Sequence, residues 1–367
     1  MKNVILTPSP PLCINSVKED ARRLPAVPTK RDKSFLARLQ PNTNISIFRF
    51  VICLAIIFAA VTIAHASEHR IGVLSPFINQ ENLFFDTLRR ELNRLGYIDG
   101  KNVSYIYRNS EQFDGLTSHA ADLVRLKVDI IVTEGPQGVR AAKNATAAIP
   151  IVFANIGDAV DQGFAATLAR PGGNLTGISS LNAELSGKRL ELLKEVLPGL
   201  LRVAIMREAV GDAGPIRAIE TSAQAMGLKL LVLQVRDGDE VPSAFSAMTA
   251  ARVGGLELLP GSLFVSRMRK ITELAAQSKL AGVFPDARFV RNGGLMSYGP
   301  NVVELYKRAA NYIDKILKGA RSRDLPVEQP TSFEFAVNLK TAKALRVSIP
   351  AAVLMRANQV IQNDGSS

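Results

Sequence analysis

The sequence predicts an α/β protein of two lobes, each built on a doubly wound parallel sheet. Short, almost continuously apolar runs alternate with amphipathic helical stretches, the pattern of parallel strands covered on both faces. The alternation starts afresh near residue 200, so two units of similar size follow one another. About 300 residues follow an apolar run near the N-terminus, a length that suits two domains rather than one.

In the first unit "IGVL" (Ile71–Leu74) reads as a strand. Phe84, Leu88, Leu92 and Leu95 then recur at helical spacing until Gly96 stops them. "NVSYIYR" (Asn102–Arg108), "VDIIVT" (Val128–Thr133) and "PIVFAN" (Pro150–Asn155) are further strands, separated by helical Leu116–Leu126 and "VRAAKNATAA". In the second unit the strands are Arg202–Met206, Leu228–Val235, Leu256–Pro260 and Ala281–Pro285. Helices are predicted over Pro215–Met226, Val241–Ala251 and Val265–Leu280. "GLMSYG" adds a strand, and Asn301 caps a helix with Glu304 three residues on, as in a capping box. Val302, Leu305, Tyr306, Ala309, Ile313, Ile316 and Leu317 form its apolar stripe, and Gly319 ends it. Tyr298 falls at a strand C-terminus, where open α/β sheets hold their ligands.

"VICLAIIFAAVTIAHAS" (Val51–Ser67) is the most apolar stretch. Its core from Phe50 to Ile63 is about fourteen residues, short of the ~20 that span a bilayer. Arg38 and Arg49 precede it and Ala64-His65-Ala66 follows. Basic flank, short apolar core and small-x-small site describe an export signal cleaved near Ala66 and Ser67. An uncleaved anchor and a buried core helix are the other two readings. The chain would then work outside the cytoplasm, in the periplasm.

Charge follows the same division. The chain carries 45 Lys and Arg against 33 Asp and Glu, a net of +12. Nine of the basic and three of the acidic residues precede Ser67, leaving 36 against 30. The remaining basicity is dispersed, without the basic stripe and interleaved aromatics expected of a nucleic-acid binder. Both cysteines, Cys13 and Cys53, lie in the N-terminal part, so neither disulfides nor thiol chemistry is expected of the remainder.

Enzyme signatures are missing from the sequence. There is no phosphate-binding G-x-x-x-x-G-K-[ST], no G-x-G-x-x-G after the first strand and no G-x-S-x-G elbow. Beyond the export signal only His69 and His119 remain, with no cysteine, and they do not make a nitrogen–sulfur metal site. A binding protein without cofactor or catalytic residues is expected.

One segment has ligand chemistry of its own. In "TEGPQGV" (Thr133–Val139) Pro136 suits a first helical turn, with Gly135 as cap and Gln137 inside the turn. A helix start presents free N–H groups and partial positive charge, which favour a carboxylate. Glu134 beside it either points to water and pairs with a Lys or Arg, or receives the ammonium of a zwitterion.

"ARPGGNLTG", "GGLMSYGPN" and "LPVEQPT" then carry a resemblance that extends over nearly all of residues 69–362. The chain resembles the ABC-transporter substrate-binding proteins known as tryptophan/tyrosine-type solute receptors. The resemblance implies a type I periplasmic-binding-protein fold, two Rossmann-like lobes joined by three crossing strands. It implies a small-molecule ligand in the cleft, delivered to an inner-membrane ABC permease by a monomeric receptor. The crossings are then expected near Ile178–Leu181, Tyr298–Asn301 and Gln329–Phe333. Residues 67–178 with about 299–328 would form lobe 1, and 179–298 with about 329–367 lobe 2. Ligand contacts are expected from Ser75, Thr133, Glu134, Gly135, Gln137 and Asp158 in the first lobe. Arg207, Gly261, Asp286 and Tyr298 are expected in the second. A ligand sensor for a signalling partner is the nearest alternative function, and a periplasmic enzyme the next.

Overall fold

The computed structural model describes residues 68–76, 83–110, 113–209 and 214–362, within one compact unit running from Ala66 to Ser367. The apolar run over 50–63 and the expected cleavage site at Ala66 and Ser67 lie outside the described residues.

The first sheet is assembled from β1 (His69–Pro76), α1 (Leu83–Arg94), β2 (Val103–Ser110), α2 (Leu116–Arg125), β3 (Ile130–Glu134), α3 (Gly135–Ala145), β4 (Ile151–Ile156) and β5 (Leu175–Ser179). Its strands are all parallel in the order β2-β1-β3-β4-β5. The order reverses between β1 and β3, and at such a switch point the loops leave in opposite directions and open a crevice. Helix α1 buries Phe84, Leu88 and Leu92, one residue per turn, and Gly96 at φ 97° ends the run.

The second sheet follows with α4 (Asn182–Val196), β6 (Arg202–Glu208), α5 (Gly214–Ala225), β7 (Lys229–Val235), α6 (Val241–Ala250), β8 (Gly255–Leu258), α7 (Ser262–Ser266), α8 (Met268–Gln277), β9 (Ala281–Phe284), α9 (Ala287–Arg291) and β10 (Met296–Pro300). After α10 (Val302–Leu317) come β11 (Phe333–Asn338), α11 (Leu339–Leu345), α12 (Ala351–Leu354) and β12 (Gln359–Ile361). Its order is β12-β11-β10-β9-β8-β6-β7, parallel except for the antiparallel pair β10–β11. This sheet reverses between β6 and β8. The single helix predicted over Val265–Leu280 is two, because the backbone at Arg267 (φ −109°, ψ 15°) leaves the helical region. The capping box is half realised. Asn301 Oδ1 accepts from Glu304 N at 3.0 Å, while the Glu304 carboxylate turns to Lys307 Nζ at 2.7 Å.

Each sheet is covered on both faces. On the first, α1 and α10 pack Phe84, Leu88, Leu305, Tyr306 and Ile313 over one side, and α2 and α3 cover the other with Leu116, Leu123 and Val139. On the second, α4 and α5 contribute Leu190, Leu193 and Ile219, opposite Phe245, Phe264 and Ile271. Helix α10 follows a strand of the second sheet yet packs on the first. The chain therefore passes between the sheets at Asn301, as it does at Ser180–Leu181 and again before β11. The passages are tied together: Ser179 N donates to Glu328 O at 2.9 Å and Asn301 N to Ser332 O at 3.1 Å. Leu181 at φ 52° and ψ 33° holds a left-handed conformation that costs a branched residue energy, a mark of a junction imposed by its surroundings.

Candidate functional site

Both switch points open into the same space. Pro76 ends β1 and Glu134 ends β3, and Arg207 and Glu208 end β6 opposite Leu259, Pro260 and Gly261 after β8. These residues line one cavity of about 130 Å³, an order of magnitude above the roughly 10–15 Å³ that holds one water. Asn155, Gln162, Ser186, Asp286, Arg288, Pro300 and Val302 complete much of the wall. Asn155 sits at φ 53° where the β4–β5 register shifts, a strained position of the kind found at binding sites. The cleft is shut: a methyl placed on Gly135 would come within 2.8 Å of Ser262 Oγ across it.

The wall carries both charge signs. Glu134 is the N-cap of α3 in extended conformation, so the helix starts one residue earlier than expected and Gly135, at φ 73°, is its first residue. Its Oε2 accepts from the Tyr306 hydroxyl at 2.9 Å. Burial drives the Glu134 carboxyl upward, against the attraction of Arg288 and the Tyr306 hydrogen bond. The same enclosure pushes the Tyr306 phenol well above its usual range, with the Glu134 charge adding to it. Asp286 caps α9 through Arg288 N at 2.8 Å and grips the Arg288 guanidinium at 2.6 and 3.0 Å. Burial works against the Arg288 charge, but Asp286, Tyr306 and Glu134 together outweigh it and hold the guanidinium above its ordinary range. Glu208, 6% exposed, accepts from Leu263 N at 2.7 Å and from Gln137 Nε2 at 2.9 Å. Burial raises its carboxyl to about 7, more than those two hydrogen bonds offset.

Ten residues were expected at the ligand, and the structure brings five of them to the cavity wall: Glu134, Gly135, Arg207, Gly261 and Asp286. The other five stand back from it. Ser75 is buried behind Pro76, whose carbonyl accepts its hydroxyl at 3.3 Å. Thr133 is buried against α3, so close that a methyl on Gly138 would meet its Oγ1 at 2.1 Å. Gln137 is turned to Glu208. Asp158 is exposed and accepts from Val160 N and Asp161 N in its own turn, at 2.7 and 3.1 Å. The Tyr298 ring packs in the second lobe beside Phe333 and Phe335, at 6.2 Å from each ring centre. Sequence reasoning passed over Glu208, Arg288, Asn155 and Tyr306. Glu208 had a visible signal, a second charge at the end of an apolar strand. Tyr306 had none, because it reads as one more member of the α10 stripe.

Among the described residues no three His, Cys, Asp or Glu side chains converge as metal ligands. What this arrangement can do is bind. A small enclosed space combines apolar walls (Pro76, Leu259, Val265, Val302), buried charges of both signs and the free N–H groups at the start of α3.

The profile of the family described as "ABC transporter substrate binding protein" matches residues 81–361. The chain is 26% identical over 259 residues to a "Tyrosine-binding protein" of Clostridioides difficile strain R20291, covering 70% of this chain and 74% of that one. A solved conserved domain protein from Vibrio cholerae O1 biovar El Tor N16961 superposes with a TM-score of 0.74 at 25% identity, over 80% of this chain and all of its own. An ABC domain from Streptococcus pneumoniae solved with L-Trp gives the same TM-score, 0.74, the same 25% identity and the same coverage, 80% and 100%. The architecture is that of type I periplasmic binding proteins, two α/β lobes on mainly parallel sheets. With its profile matched over most of its length, the chain belongs to the ABC transporter substrate-binding protein family.

Proposed function

We propose that this chain is the exported receptor of an ABC importer. It captures an amino acid with an apolar, aromatic side chain between its lobes and hands it to an inner-membrane permease. It binds and releases without turnover, and it acts as a monomer. The observation that carries the ligand class is the pairing of opposite buried charges in one small apolar cavity. Arg207 and the start of α3 suit a carboxylate, Glu134 suits an ammonium, and the proline- and leucine-lined wall suits a hydrocarbon body. A tyrosine-binding relative and a neighbour solved with L-Trp support the same class. The lobes divide at the passages near 178, 299 and 328. Export rests on the signal-like N-terminal segment and on the family, whose members work outside the cytoplasm.

The test is mass spectrometry of small molecules released when the purified chain is denatured, followed by calorimetric titration with L-tyrosine and L-tryptophan. An amino acid is expected in the first and saturable binding in the second. A sugar in the released fraction, with neither amino acid binding, would overturn the ligand class.

A further inference from the structure

One contact at the cavity wall joins the lobes directly, through side chains of both. Glu208 belongs to the second lobe, at the end of β6, and Leu263 N, which donates to its Oε1 at 2.7 Å, belongs to the same lobe. Gln137 belongs to the first lobe, in the opening turn of α3, and donates across the cleft to Oε2 at 2.9 Å. Gly261 is cut away to admit this carboxylate, since a methyl there would stand 2.3 Å from Oε1. Neither hydrogen-bond partner of the carboxylate is charged. The charged groups around the same cavity are Arg207 beside it on β6, Glu134 at the start of α3, and Asp286 with Arg288 on α9. Asp286 and Arg288 are committed to each other and Glu134 to Tyr306, and α7 (Ser262–Ser266) holds no ionisable residue.

We propose that Glu208 is a positioning residue for closure: its carboxyl locks the lobes together through Gln137, and closing over a ligand loads a proton onto it. This rests on the amino-acid receptor reading above. When the lobes part, Gln137 withdraws and the carboxylate meets water, where it is ionised at neutral pH. When they close, it loses water, and the two groups that hydrogen-bond it are uncharged, so the neutral form is favoured. Burial lifts it to about 7 in the closed cleft. A glutamine suits this contact because its amide offers either a donor or an acceptor by turning over, and so serves both protonation states.

The sign follows from linkage. A group raised on closure adds to closure fully below its open-state value, and the addition fades as pH rises through about 7. Ligand affinity should therefore fall about tenfold between pH 6 and pH 8. Uptake should approach one proton per ligand well below pH 7 and fall towards none well above it.

Calorimetry with L-tyrosine and L-tryptophan in buffers of differing ionisation heat reads that number. In Glu208→Gln the uptake should vanish and affinity should become flat across this pH range, with the unliganded melting temperature checking the fold. Gln137→Ala removes the hydrogen bond from the other lobe, so its ligand affinity should fall severalfold, and unchanged affinity would overturn the lock. Uptake that persists in Glu208→Gln would assign the proton to another group, such as Glu134, and overturn the proposal. No uptake in the unaltered chain would overturn it as well. If neither amino acid binds, the receptor reading fails separately, and the lock is read from solution scattering of the unliganded chain. Its radius of gyration should shrink between pH 8 and pH 6 in the unaltered chain and not in Glu208→Gln, and invariance in both would overturn the lock.

Discussion

Glu134 shows how one side chain can be placed by the sequence and defined by the fold. Its position at a strand end before a helix start was legible, because "TEGPQGV" couples an extended strand to a proline-bearing first turn. Its partner was not, since Tyr306 arrives from 172 residues away on a helix whose apolar stripe disguises it. The carboxylate is held on one side by a phenol and open on the other to the cavity. A charge-assisted hydrogen bond contributes roughly 1.5–3 kcal/mol. Glu134→Gln should thus weaken an amino-acid ligand about tenfold or more, and hardly change binding of its deaminated analogue. Titrating L-tyrosine and 3-(4-hydroxyphenyl)propanoate against both proteins checks this, and equal losses would remove the ammonium from Glu134. Tyr298 runs the other way. A strand-end tyrosine pointed to the ligand, but β11 lies antiparallel beside β10 and supplies Phe333 and Phe335 as neighbours for the ring. Tyr298→Ala should cost about 1–3 kcal/mol of stability and leave ligand affinity within about threefold. Thermal unfolding and calorimetry on the same sample separate the two effects.

At the scale of elements, periodicity recovered the strands and helices that stand in simple alternation and missed those that knit the lobes. Strand β12 has three residues and helix α4 has a buried charge inside it, so neither shows a clean period. That charge is Arg189, which donates to Glu257 Oε1 on β8 at 2.9 Å, to the Tyr298 carbonyl at 3.2 Å and to Ser186 Oγ at 2.6 Å. The arrangement fixes α4 to the strands that carry the cavity wall. Sequence spacing cannot announce such a contact, because its partners are 68 and 109 residues away. The turn from β9 into α9 is placed just as closely. A methyl on Gly299 would stand 1.7 Å from Pro285 O, so β10 presses on the backbone that presents Asp286 and Arg288. Gly299→Ala must push that turn away. The expected result is a loss of ligand affinity of tenfold or more together with a stability loss of about 1–3 kcal/mol. Calorimetry and thermal unfolding measure both, and unchanged affinity would show that the turn does not position the site.

At the scale of the whole molecule, two sheets reversing their strand order towards each other carry the proposed capture by closure. Ligand contacts drawn from both lobes exist together only when the lobes meet, so a ligand favours the closed state by its differential affinity for it. The proposed export belongs to this scale too: N-terminal sequencing of the chain from its native host should begin at or near Ser67. A mature chain that keeps residues 51–66 in the membrane fraction would contradict export by cleavage. The most direct measurement is small-angle scattering of the chain with and without saturating L-tyrosine or L-tryptophan. The radius of gyration should fall on adding whichever amino acid binds, as the lobes close over it. Superimposable profiles at saturation would contradict capture by closure.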